Sequence, residues 1–259
     1  MDTQQFKIAC EKIIYTKRKQ NGIGTLGEKT LHAVLKHYYE PNEANHEIKI
    51  GSYVADIANM NPSQDIEKII EIQTGGFDKL RKKLVRFLQL CSVTVVYPIP
   101  KTKWLLWIDE KTGETTKRRK SPKQGSIYDV ISELYKIKPF LKHPNFQICV
   151  VFIDLEEYRY LNGWSKDKKK GSTRCDRIPI DIAEEIYIKD TANYARFIPE
   201  ELSPQFTSKD YRIATKTSLN TAQIALNILN DLGLVKRVGK QGNSYIYERL
   251  CLHANKTDI

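Results

Sequence analysis

The sequence predicts an α/β (α+β) protein organised in two parts, residues 1–200 and residues 201–259. Three observations carry this. Apolar residues recur first at helical spacing and then in short strand-like runs, in the order helix, three strands, helix, strand. From about residue 203 the grammar changes to two short helical segments and two strand segments around a glycine turn. Hydrophobic residues make up 41% of the chain and charged residues 28%, enough of the first for a core and enough of the second for a solvated surface. No internal repeat is visible.

Each element has its own signal. Residues 3–19 read as a helix. In 25–39, TLGEKTLHAVLKHYY, Leu31, Val34, Leu35 and Tyr38 share one helical face. HEIKI and YVADIA read as strands with Gly51 and Ser52 as the turn between them. EKIIEIQT is a third strand. GGFDKLRKKLVRFLQL is an amphipathic helix after a glycine break, and the β-branched SVTVVYPI is a fourth strand. KWLLWID and GETTKRR suggest a hairpin over residues 110–113. SIYDVISELYKI reads as a helix and FQICVVFIDL as a buried strand. Near the C-terminus, Thr207 and Ser208 cap a short helix through Ala214, and Ser218 or Asn220 caps a second. The second has Ile224, Leu226, Ile228, Leu229 and Leu232 on its apolar side and ends at Gly233. LVKRVG and SYIYER then form two strands around KQGN.

Composition narrows the chemistry. The net charge of +11 attracts polyanions, with nucleic acid the leading partner; general solubility is the plainer explanation of the same excess. Two basic loops add to it. One holds Lys117, Arg118, Arg119, Lys120 and Lys123. The other, 165–177, holds Lys166, Lys168, Lys169, Lys170, Arg174 and Arg177 against Asp167 and Asp176. Five scattered cysteines with no CxxC pair give neither a disulfide framework nor a zinc site, and five histidines form no HExxH or HxH cluster. A metal, if used, is then a hard cation held by carboxylates. No long apolar run crosses a membrane, and the N-terminus lacks the apolar core of a signal peptide, so a cytoplasmic protein without membrane partners is expected. There is no Walker or GxGxxG motif for a nucleotide.

The carboxylates that stand out are Asp56 and Glu71. In a strand, alternate residues share a face. Glu71 and Gln73 therefore share one face of the third strand, and Ile70 and Ile72 the other. Asp56 faces away from Ala55 and Ile57, so the two acids can meet on adjacent strands. Buried carboxylates held together repel one another, and a divalent cation compensates them. Ordinary solvation at strand ends is the competing explanation.

The order αβββαβ, with Ala55-Asp56 and Glu71-Ile72-Gln73 at these places, resembles the PD-(D/E)XK nuclease superfamily over roughly residues 24–97. The resemblance implies a restriction-endonuclease-like core with a mixed sheet. It implies a metal-dependent DNA endonuclease in which Asp56 and Glu71 bind Mg²⁺ or Mn²⁺ and water attacks a phosphodiester. The family has a Lys where this chain has Gln73, so Gln73 takes the water-orienting position, with Lys49, Lys79 or Lys83 as substitutes for the missing cation. A catalytically inactive DNA-binding protein on the same fold is the alternative. Glu28 is a further candidate, since the family often carries an acid on its first core helix. Thr25 and Glu28 equally fit a capping box. His32, one turn on, fits a packed core residue. Many such nucleases cut as dimers, so a homodimer is a further expectation.

The C-terminal pattern of helix, turn, helix and β-wing resembles a winged helix-turn-helix domain, residues 201–259. That resemblance puts Ser218, Asn220, Thr221 and Gln223 toward a DNA major groove and Lys236, Arg237 and Lys240 on phosphate. The loop cations Lys168, Lys169, Lys170 and Arg174 are expected on the DNA backbone. Winged helices also serve as protein-interaction modules.

Overall fold

The computed structural model describes residues 1–20, 29–162 and 173–250. By their contacts these residues divide into two units, neither of them continuous in sequence. One is 1–74, 94–126 and 149–186, and the other is 75–93, 127–148 and 187 onward. The expected boundary at residue 200 falls inside the second unit. The fold is mixed α/β, with one large sheet and several helices.

The first unit begins with α1 (Thr3–Gln20) and α2 (Thr30–Tyr39). Strands β1 (His46–Ile50), β2 (Tyr53–Met60) and β3 (Ile66–Ile72) follow. Most of β4 (Ser92–Ile108), β6 (Phe146–Tyr160) and β7 (Arg174–Ile188) lies in this unit, with the two-residue β5 (Arg119–Lys120). The sheet order is β1-β2-β3-β4-β6-β7, with β5 added to β4. β1, β2 and β3 form an antiparallel meander. Phe6, Leu31, Val34 and Leu35 from the helices meet Ile57, Ile70, Ile72, Val96, Val151, Ile153 and Ile182 in one apolar cluster. Burial of such side chains contributes about 1.5–3 kcal/mol each, which is what holds α1 and α2 on the sheet.

The expected strands at 92–99 and 103–109 are one 17-residue strand, β4, with no break between them. The hairpin after it is present. The Gly113 amide donates to the Asp109 carbonyl at 2.8 Å, Gly113 takes a positive φ of 73°, and Arg119 pairs with Leu105. Helix α2 starts at Thr30, after an extended Lys29 that makes no side-chain cap, and the expected start at residue 25 lies outside the described residues. The cap comes from far along the chain. Asp176, buried at the start of β7, accepts the Thr30 amide at 3.1 Å and the Thr30 hydroxyl.

The second unit holds α3 (Arg81–Phe87), α4 (Ile131–Lys136), α5 (Ser208–Thr215) and α6 (Leu219–Asp231). Its own sheet has the order β8-β10-β9, from β8 (Gln205–Thr207), β9 (Val235–Gln241) and β10 (Ser244–Arg249). Gly76 turns into the 3-10 helix Phe77–Leu80 that precedes α3, through the left-handed region at φ 72°, where glycine has no steric cost. Thr207 caps α5 through a reciprocal capping box with Asp210. The buried face of α6 is Ala222, Ala225, Leu226, Ile228 and Leu229, while Ile224 lies at its edge. Lys138 reaches Asn227 and Asp231 of α6, at 3.2 and 3.4 Å. Tyr211 of α5 donates its hydroxyl to the Phe197 carbonyl at 2.6 Å.

Candidate functional site

Antiparallel register builds the carboxylate pair. Ile57 opposes Ile70 and Ala58 opposes Ile69, so one step further along the ladder Asp56 stands opposite Glu71. Directly opposed residues project to the same face. The Asp56 amide donates to Glu71 Oε1 at 3.3 Å, and Asp56 Oδ2 accepts the Ile72 amide at 2.8 Å. Glu71 is fully buried, whereas the Asp56 side chain keeps 19% of its exposure. His32 of α2 adds a third polar group, with Nε2 at 3.2 Å from Asp56 Oδ2. From sequence alone, His32 reads equally as a packed core histidine. The spacing of His32 along α2 says only that it is near the edge of the apolar stripe.

Gln73 follows the last residue of β3, and its amide donates to the Val96 carbonyl at 2.9 Å. Lys49 pairs in register with Val54, which puts it on the same face of the sheet as Asp56, on the neighbouring strand. Lys79 and Lys83 belong to the second unit. Glu28, with the Thr25 capping box, lies outside the described residues. Among the described residues no group of three or more His, Cys, Asp or Glu side chains is disposed to hold a metal ion. The two carboxylates together offer oxygen ligands of the kind that a small hard cation takes from protein, the remainder of its shell being water or phosphate oxygen.

A second polar cluster in the same unit was not legible in the sequence. Glu157 on β6 is fully buried, and four cations surround it. Arg159 Nε donates to Oε1 at 2.8 Å and Arg177 Nε to Oε2 at 3.1 Å. Lys103 Nζ and Arg174 Nε each lie 3.5 Å from Oε2. Burial pushes the Glu157 carboxyl up, but Arg177, Lys103, Arg159 and Arg174 outweigh it and hold the group at about 2. Arg174, expected on DNA, is therefore half exposed at the rim of this cluster. Lys168, Lys169 and Lys170 lie outside the described residues. In the other basic loop, Arg118 pairs with Glu156 at 3.0 Å and stacks on Trp104, 4.0 Å from the ring centroid.

In the second unit, Ser218 caps α6 by accepting the Thr221 amide at 3.0 Å, and Asn220 and Gln223 are exposed on its first turns. On β9, residues 236–241 are all exposed. Arg237 stacks over Tyr245 at 4.3 Å and Lys240 over the same ring at 5.1 Å, while Lys236 lies 3.7 Å from Glu248. The β9–β10 hairpin thus presents a row of cations steadied by aromatic rings.

The chain so described is a mixed α/β protein with a paired Asp56 and Glu71, the latter fully buried, and two cation-rich surfaces. A family model whose description is Domain of unknown function (DUF8091) matches residues 29–189, more than half of the chain, and the chain belongs to that family. The matched span includes Asp56, Glu71, Gln73 and the Glu157 cluster. A protein of Treponema pallidum (strain Nichols), described as an uncharacterized protein, is 25% identical over 227 residues, which are 88% of this chain and 87% of that one. No solved structure matches the chain.

Proposed function

We propose that the protein is a metal-dependent DNA endonuclease with a restriction-endonuclease-like core and a C-terminal winged helix that binds DNA. The observation that carries this is the register pairing of Asp56 with the fully buried Glu71. The order of helix and strands around the pair is the one the nuclease resemblance implies. Asp56 and Glu71 would hold Mg²⁺ or Mn²⁺, which when bound supplies positive charge to a phosphoryl oxygen. Gln73 would orient water through its side-chain amide, and Lys49, on the same face as Asp56, would supply the cation that Gln73 lacks. His32 positions the Asp56 carboxylate. The β8-β10-β9 sheet with α5 and α6 supports the winged-helix reading, in which the exposed Asn220 and Gln223 meet bases and Lys236, Arg237 and Lys240 meet phosphate.

Gln73 favours one second reading, a non-catalytic DNA-binding protein on the same core. Incubating supercoiled plasmid with the protein and Mg²⁺, Mn²⁺ or EDTA separates the two. Metal-dependent nicking or linearisation that Asp56→Ala abolishes supports the enzyme. DNA binding with no cleavage under either metal supports the second reading.

A further inference from the structure

The Glu157 cluster holds more positive charge than its one carboxylate accounts for. Lys103 on β4, Arg159 on β6, and Arg174 and Arg177 on β7 come from three neighbouring strands of the sheet. They converge on a single Glu157 on β6. Among the described residues, four cations against one carboxylate leave a local excess of three positive charges. The donor balance is as uneven, because a carboxylate offers about four lone-pair sites while three guanidinium groups and an ammonium bring many more N–H donors.

Like charges set side by side on adjacent strands destabilise a sheet, so such a row needs a reason. Burial lowers the basicity of Lys103, and Glu157 opposes that shift while Arg177 and Arg159 add to it. The cations are not sealed in. Lys103, Arg159 and Arg177 retain 19%, 21% and 17% side-chain exposure, and Arg174 retains 47%. Glu157 forms the closed floor, and the guanidinium groups form an open rim.

We propose that Lys103, Arg159, Arg174 and Arg177 form a binding site for a phosphate monoester or pyrophosphate. Guanidinium forks match the oxygens of a phosphate bidentately, and the fixed Glu157 pre-sets their directions. The charge excess selects for a monoester, which carries close to two negative charges at neutral pH, over an internal phosphodiester, which carries one. The phosphate has two sources with the same chemistry: a free anion, or the terminal phosphate of a nucleic acid. Phosphate binding here requires neither Asp56 nor Glu71.

Binding of the full chain to a short single-stranded DNA with either a 5′-phosphate or a 5′-hydroxyl, measured by fluorescence anisotropy in EDTA, tests it. Thermal shift with inorganic phosphate or pyrophosphate, against chloride at matched ionic strength, is the second arm. The expected result is at least fivefold tighter binding of the phosphorylated strand, or a rise in melting temperature with pyrophosphate if the ligand is the free anion. Arg174→Gln and Lys103→Met, at the rim, abolish the preference for the phosphorylated strand over the hydroxyl strand. Glu71→Gln leaves the gain intact, so the outcome is independent of whether the protein cleaves DNA. Equal affinity for both strands with no thermal shift, or a gain that survives the Arg174→Gln and Lys103→Met double variant, overturns the proposal.

Discussion

The Asp56 amide donates to the buried Glu71 carboxylate, and the Asp56 carboxylate in turn accepts the amide of Ile72, next to Glu71. Each acid is thus tied to the other's strand through the backbone. Gln73 is the weak member of this site. If it stands where a cation assists hydrolysis, Gln73→Lys raises the cleavage rate about tenfold or more, and Gln73→Ala lowers it. Single-turnover rates on a plasmid substrate with saturating Mn²⁺ check both.

Glu157→Gln leaves four cations facing no carboxylate. Removing one partner of a buried ionic cluster costs about 3–5 kcal/mol, and a loss toward the lower end is expected here because the cations are partly solvated. Urea denaturation at pH 7 measures it. Acid titration gives the sign independently. The folded Glu157 titrates near 2, below the ordinary carboxylate value, so its contribution is present at neutral pH. It fades as pH falls from the ordinary value toward 2, and the Gln variant lacks that part of the acid sensitivity.

His37 is held below the ordinary histidine range by burial first, then by Lys12 and His46, against the pull of Glu43. Among the described residues its Nδ1 is buried without a hydrogen-bond partner. The neutral form is therefore the folded form. Stability is retained above the unfolded histidine value of about 6.5 and declines as pH drops below it, until the folded group also protonates. Denaturation midpoints between pH 7.5 and 5 are expected to fall for the wild type and to fall less for His37→Gln.

On the hairpin, Arg237→Ala removes a cation stacked on Tyr245. DNA affinity is expected to drop at every sequence tested, and the slope of log affinity against log salt to shrink by about one. Asn220→Ala is expected to change sequence preference with the slope unaltered. Anisotropy titrations at several salt concentrations distinguish a phosphate contact from a base contact.

The meander was legible because HEIKI, YVADIA and EKIIEIQT each carry a short apolar run between turn residues, and the pair Asp56 and Glu71 follows from the period of two. Capping residues made α5 and α6 legible in the same way. What was not legible depends on partners distant in sequence. Asp176 sits in a charge run that reads as a solvated loop, yet it caps α2 at Thr30, 146 residues earlier. Asp176→Ala should cost about 0.5–2 kcal/mol, the range for a lost helix cap. Glu157 and its four cations come from three strands, and no local spacing announces them. β7 itself was missed, since Pro179 and the alternating charges of RIPIDIAEEI obscure the strand period.

The most direct measurement is cleavage of supercoiled and branched DNA by the wild type and Glu71→Gln, each with Mg²⁺, Mn²⁺ or EDTA. Circular dichroism of both proteins establishes that they share one fold. Metal-dependent cutting by the wild type and at least a hundredfold loss in the folded variant are expected. Wild-type protein that binds DNA but cuts it under neither metal, or a folded Glu71→Gln that cuts as fast as the wild type, would contradict the nuclease proposal.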